Sequence, residues 1–216
     1  MIKAFVFDLN GTMIEDMSYH INAWHTIFVK LGADYTLHQS QEQCYGKNGE
    51  ILERIFPGRF SAEEKKEIGD NKEATYREEY KPFLKLVSGL DVFLAAAKKQ
   101  HIKMAVGSAA MMLNIDFVLD NLNIRHYFDA IISGDDVEKS KPDGETYLKC
   151  ATALNVLPFE CLVFEDVPKG VESAANAGMK TVVITGLHNK KEFARFDNVV
   201  NFIKDYKDLA VEKIVK

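Results

Sequence analysis

Four short polar stretches hold the residues best suited to chemistry. Asp8, Asn10 and Gly11 follow one apolar run, Ser108 and Ala109 follow a second, Lys141 stands before Pro142, and Glu165-Asp166 close a further run. Together they offer three carboxylates, a hydroxyl and an ammonium, which phosphoryl transfer through an aspartyl phosphate requires. In that chemistry a carboxylate attacks phosphorus while a hard cation neutralises the two anions so that they can meet. Asp8 is then the nucleophile and one metal ligand, and Asp166 a second ligand. Oxygen-only ligation beside an anionic substrate favours Mg²⁺ over zinc or copper. Ser108 and Lys141 hold the transferring oxygens, and the backbone N–H groups around Gly11 and Ala109 complete the phosphate cradle.

Each residue also has a plainer reading. Asp8, Asn10 and Gly11 are common turn formers, Lys141 alone reads as a solvated loop lysine, and Ser108 as the N-cap of the helix that follows. Glu165-Asp166 reads as a charge pair at a helix N-terminus. Their joint placement tips the balance, and that placement depends on the elements around them.

Residues 2–7, 102–106, 130–133, 161–165 and 181–184 are short apolar runs that read as buried strands. Helical patterns lie between the later ones, near 90–99, 111–122, 144–154 and 168–177. This alternation predicts an α/β fold, a doubly wound parallel sheet with a Rossmann-like core, whose strands share one carboxyl edge. The segment between the first strand and the rest is helical instead. Residues 16–32 carry Ile21, Trp24, Ile27, Phe28 and Leu31 at helical spacing, residues 39–80 continue in helical patterns with a capping box at Ser61 and Glu64, and Lys81-Pro82 ends the block. The expected organisation is a core of residues 1–13 and 83–216, with a helical cap of residues 14–82 covering the strand ends.

Lys plus Arg number 27 against 32 Asp plus Glu, a net charge of −5 with no long block of one sign, which disfavours a nucleic-acid or anionic-membrane partner. No apolar stretch approaches the roughly 18 residues of a membrane span, and the chain starts directly with a strand. A cytoplasmic monomer acting on a small phosphorylated metabolite is expected. Cys44, Cys150 and Cys161 are odd in number and lack metal-type spacing, so they read as reduced structural thiols.

The runs FVFDLNGT, VGS, SKPD and VFEDVPKGVESAANAGM resemble, in that order, the four signatures of the haloacid dehalogenase superfamily. YHINAW, GKNGE and FDAIISGDDV resemble its β-phosphoglucomutase subfamily more closely. The resemblance implies that Asp8 is the nucleophile, that the backbone carbonyl of Asn10 and the Asp166 carboxylate ligate Mg²⁺, and that Glu165 supports the metal. It also implies substrate-facing roles for His20 and Lys72, whose plainer readings are a surface histidine and a solvated helix lysine. Two departures stand out. Gly49 takes the place of a cap-loop arginine that grips the substrate's second phosphate in the mutase, where Lys47 offers only a point charge. Asn10 takes the place of the aspartate that protonates the leaving oxygen, and loss of a general acid/base costs on the order of 10²–10⁴ in rate. Hydrolysis of a phosphomonoester such as a sugar phosphate is therefore the favoured expectation. Mutase activity is weakened by Gly49, and a catalytically impaired phosphate-metabolite binder is the reading that Asn10 supports.

Overall fold

The first apolar run becomes the central strand of the sheet. In the computed structural model, which describes residues 1–207 and 209–215, β1 spans Ala4–Phe7 and is buried throughout. Four helices follow: α1 (Met17–Lys30), α2 (Leu37–Gln43), α3 (Asn48–Ile55) and α4 (Ala62–Tyr80). The chain then alternates through α5 (Leu90–Lys99), β2 (Lys103–Gly107), α6 (Met112–Asn121), β3 (Ala130–Ile132), α7 (Glu145–Leu154), β4 (Cys161–Glu165), α8 (Pro168–Asn176) and β5 (Lys180–Ile184). It closes with β6 (Val199–Ile203) and α9 (Val211–Ile214). No helix among the described residues is long and apolar enough to cross a membrane.

Two compact units emerge, one of Met1–Glu15 with Lys85–Lys216, the other of Asp16–Leu84. The first is an α/β core. Its six parallel strands lie in the order β3-β2-β1-β4-β5-β6, so the winding reverses between β1 and β4. Open α/β sheets bind their ligands beyond the strand ends at such a reversal. Register fixes what stands there: Phe7 lies opposite Val106 of β2 and Phe164 of β4, so Asp8, Gly107 and Glu165 reach one edge together. Both faces of β1 are covered, as parallel strands require. Phe5 and Phe7 pack with Phe93, Phe164 and Tyr206 on one face, and Ala4 and Val6 join Tyr147, Cys150 and Val163 on the other.

Strand β6 is absent from the sequence-based expectation. Its run VVNFI contains Asn201, it is only partly buried, and its register with β5 is shifted between Thr181 and Val182. An edge strand with one exposed side gives no continuous apolar signal. The insert is all helical. Trp24 and Phe28 of α1 pack with Ile51, Leu52 and Phe56, and Ser61 caps α4 by accepting the Glu64 N–H at 3.2 Å while Glu64 accepts the Ser61 N–H at 2.8 Å.

Candidate active site

At the winding reversal, the carboxylates of Asp8, Glu165 and Asp166 each place an oxygen within 4.8 Å of the others. All three are buried, which no carboxylate tolerates without partners. Lys141 supplies the charge. Its ammonium donates to Asp8 Oδ1 at 2.7 Å, Glu165 Oε1 at 2.8 Å and the Tyr147 hydroxyl at 2.8 Å, and Tyr147 donates in turn to Glu165 Oε1 at 2.9 Å. The reading of Lys141 as a solvated loop lysine is thereby overturned. Glu165 Oε2 accepts the backbone N–H groups of Asp166 at 2.8 Å and Val167 at 3.0 Å. Those bonds precede α8, whose N-cap is Val167, so the pair is not a first-turn charge decoration either.

The loop after β1 is shaped to receive Asp166. Gly11 has φ +73°, and a Cβ there would overlap the Asp166 carboxylate, so the position excludes any side chain. Thr12 Oγ1 donates to Asp166 Oδ1 at 3.2 Å, and Tyr206 donates to the Thr12 carbonyl at 3.2 Å. Asn10 forms a β-bridge with Ile14, and the Gly11 N–H donates to the Ile14 carbonyl at 2.8 Å.

Three carboxylates face one ammonium, and the titration behaviour follows. Burial pushes the Lys141 ammonium down, but Asp8 and Glu165 outweigh it and hold the group above the ordinary lysine value. Asp166 is driven well above the usual carboxylate range by burial, then by Glu165 and Asp8. Burial and the same two carboxylates raise the Tyr147 phenol, which stays a donor. This oxygen-rich cluster with excess negative charge fits a hard divalent cation. Asp8 and Asp166 suit direct ligation, whereas all the contacts of Glu165 named above make it a support.

The plainer reading of Ser108, as the N-cap of α6, does not hold. Ser108 is buried, its N–H donates to the Ile132 carbonyl at 3.0 Å, and its hydroxyl accepts the Ala110 N–H at 3.1 Å. It does not cap α6, because its hydroxyl closes a local turn and Met111 is the N-cap. Asp135 accepts the first-turn N–H of Met112 instead, at 2.8 Å. Ala109 follows in the same turn, its carbonyl packed against Gly134.

Residues 5–184, from β1 to the end of β5, match the haloacid dehalogenase-like hydrolase family. The chain belongs to that family. It is 30% identical over 196 residues to a phosphorylated carbohydrates phosphatase of Thermotoga maritima, covering 88% of this chain and 89% of the relative. β-Phosphoglucomutase from Clostridium difficile superposes with a TM-score of 0.86 at 28% identity, covering 99% of this chain and 96% of that one. CbbY from Rhodobacter sphaeroides, crystallised as an aspartate-to-asparagine variant with xylulose-1,5-bisphosphate, superposes at 0.83 with 25% identity and 97% coverage of both chains.

This haloacid dehalogenase-like chain carries a second polar cluster inside its helical insert. Lys72 is buried, with Nζ 2.6 Å from His20 Nδ1 and 2.9 Å from Glu73 Oε1, and Asn48 donates to the same Glu73 oxygen at 3.0 Å. The His20 ring stacks on Tyr76 at 3.8 Å, its Nε2 lies 3.3 Å from Asp16 Oδ2, and Tyr76 donates to that carboxylate. Neither His20, with a side chain 12% exposed, nor Lys72 is a surface group. Burial lowers the Lys72 ammonium against the opposing pull of Glu73. Residues 46–50 are not one loop: Lys47 is the N-cap of α3, its N–H donating to Glu50 Oε2 at 2.9 Å, and Gly49 lies in the helix. A Cβ on Gly49 would meet nothing within 4 Å, so nothing steric accounts for a glycine there.

Sequence reasoning missed Tyr147, Gly170 and Tyr206. Tyr147 sits on the buried face of α7, where an aromatic residue looks like ordinary core. Gly170 lies in the first turn of α8, and a Cβ there would overlap the Glu165 carboxylate. Tyr206 lies 194 residues from Thr12 in sequence and beyond the family match.

Proposed function

We propose that this chain is a Mg²⁺-dependent phosphohydrolase that passes the phosphoryl group of a small phosphorylated sugar through an aspartyl phosphate on Asp8. The observation that carries the proposal is the buried Asp8–Lys141–Glu165 contact beside Asp166 at the winding reversal of the sheet. The names of the phosphorylated carbohydrates phosphatase, the phosphoglucomutase and the CbbY complex support the substrate class.

In this reading an oxygen of Asp8 bonds to phosphorus as the ester oxygen departs with its electron pair. Lys141 fixes the Asp8 carboxylate, and Glu165 and Tyr147 fix Lys141. The Ala109 backbone N–H and the Ser108 hydroxyl hold the phosphoryl oxygens, where charge is spread in the transition state. Asp8, Asp166 and the Asn10 carbonyl would hold Mg²⁺, which supplies the neutralising charge that lets carboxylate and phosphate meet. Water then attacks the aspartyl phosphate. Asn10 can donate a hydrogen bond but cannot surrender and recover a proton, so both half-reactions lack their usual acid and base. A phosphate-metabolite binder of low turnover is the second reading, favoured by the same residue.

Phosphate release from a sugar phosphate panel tests the first reading. Release is expected to need Mg²⁺ and to vanish in Asp8→Ala, with Asp166→Ala weakening Mg²⁺ binding by calorimetry far more than Glu165→Gln. Turnover retained by Asp8→Ala would contradict it.

A further inference from the structure

Four side chains around Asp8 have already committed their protons. The three ammonium hydrogens of Lys141 go to Asp8, Glu165 and Tyr147, the Tyr147 hydroxyl proton goes to Glu165, and the Thr12 hydroxyl proton goes to Asp166. The Tyr206 hydroxyl proton goes to the Thr12 carbonyl. Each of these groups serves to hold another in place. Asn10 carries an amide with no proton to release. The fold also protects that amide: conversion to aspartate would need the Gly11 nitrogen to attack the Asn10 side chain, and its N–H is given to Ile14 at 2.8 Å within the β-bridge.

We infer that Asn10 makes the site select substrates by their leaving group, taking phosphoryl groups from acyl phosphates and similar anhydrides while reacting poorly with alkyl phosphates, and leaving Asp8 phosphorylated. This rests on Asp8 as the nucleophile proposed above and revises the class of phosphate that it takes fastest. An alkyl phosphate expels an alkoxide, which must gain a proton as the bond to phosphorus breaks. An acyl phosphate expels a carboxylate, stable as an anion at neutral pH because its conjugate acid has a pKa of about 4. In that case the Asp8 oxygen bonds to phosphorus, the bond from phosphorus to the acyl oxygen breaks, the electron pair leaves with the carboxylate, and no proton moves. Hydrolysis of the aspartyl phosphate follows slowly. Water attacks phosphorus, gives its proton to solvent instead of a residue-10 base, and Asp8 departs as carboxylate.

The test compares the native chain with Asn10→Asp, each with Mg²⁺ and one of acetyl phosphate, 4-nitrophenyl phosphate, phenyl phosphate or glucose 6-phosphate. Intact-protein mass reads the covalent phosphoryl group, and phosphate release reads turnover. In the native chain, acetyl phosphate is expected to label the protein to high occupancy, with phosphorylation slowing by about 10²-fold or more towards glucose 6-phosphate. In Asn10→Asp that fall shrinks and the label no longer accumulates. Equal ratios of acetyl phosphate to glucose 6-phosphate reactivity in the two chains would overturn the inference and leave Asp8 as nucleophile. If no donor labels or turns over with either chain, the function proposed above falls, and the inference with it.

Discussion

Among the described residues, each unit of the molecule buries one lysine against carboxylate, and the two lysines respond in opposite directions. Lys141 in the core meets Asp8 at 2.7 Å and Glu165 at 2.8 Å, and its affinity for its proton rises. Lys72 in the insert meets only Glu73 at 2.9 Å, with a histidine nitrogen and the rings of Trp24 and Tyr76 as its other neighbours, and its affinity falls. Burial penalises both ammonium groups, so the number of carboxylates in direct contact, two for Lys141 and one for Lys72, decides the sign. One is a permanent cation built into the strand edge; the other is held less firmly charged on a helix face.

Replacing each lysine by methionine tests that contrast, and the core change carries the largest expected effect. Lys141→Met leaves Asp8 and Glu165 buried without their cation and is expected to cut phosphate release by about 10²–10³-fold and to cost about 3–5 kcal/mol of stability by denaturant titration. Lys72→Met is expected to cost less, because it strands one carboxylate, Glu73, where Lys141→Met strands two, and to shift KM across a sugar phosphate panel while kcat changes only a few-fold. Equal losses of kcat in the two variants would erase the distinction.

A smaller effect separates two glycines of positive φ. Gly11 at φ +73° abuts Asp166, whereas Gly32 in the insert at φ +92° has nothing within 4 Å of a built Cβ. Alanine at either site pays backbone strain of about 1–2 kcal/mol. Only Gly11→Ala displaces a proposed metal ligand, so Mg²⁺ affinity by calorimetry is expected to drop about 10–100-fold there and to hold in Gly32→Ala.

The smallest effect lies at alkaline pH. Burial pushes the Cys44 thiol of the insert up to about 12 from 9.0, and the Cys161 thiol of the core up to about 11. Both folded values exceed the unfolded one. The neutral thiols therefore contribute stability that is intact below pH 9 and lost as pH rises towards 11 and 12, by at most about 1.4 kcal/mol per thiol per pH unit. Thermal melts across that range should flatten in Cys44→Ala and, over a narrower span, in Cys161→Ala.

What could be read from the sequence follows the same division. The convergence of Asp8, Lys141, Glu165 and Asp166 was legible because a parallel sheet brings strand ends to one edge whatever their separation along the chain. The insert was harder. α4 reads as polar nearly all round, so the burial of Lys72 and Glu73 on it emerges only from packing against α1 and α3. Tyr147 was invisible because its hydroxyl matters only once Lys141 and Glu165 surround it. The plainer reading of Ser108 as a cap failed because its hydroxyl accepts the Ala110 N–H, and the helix-capping position lies further on, at Met111.

The most direct test of the central claim locates the phosphoryl group. The native chain is incubated with Mg²⁺ and acetyl phosphate, quenched in acid, digested and mapped by peptide mass spectrometry. The account predicts the group on Asp8 and no label in Asp8→Ala. A phosphoryl group on any other residue, or labelling that survives in Asp8→Ala, would contradict it.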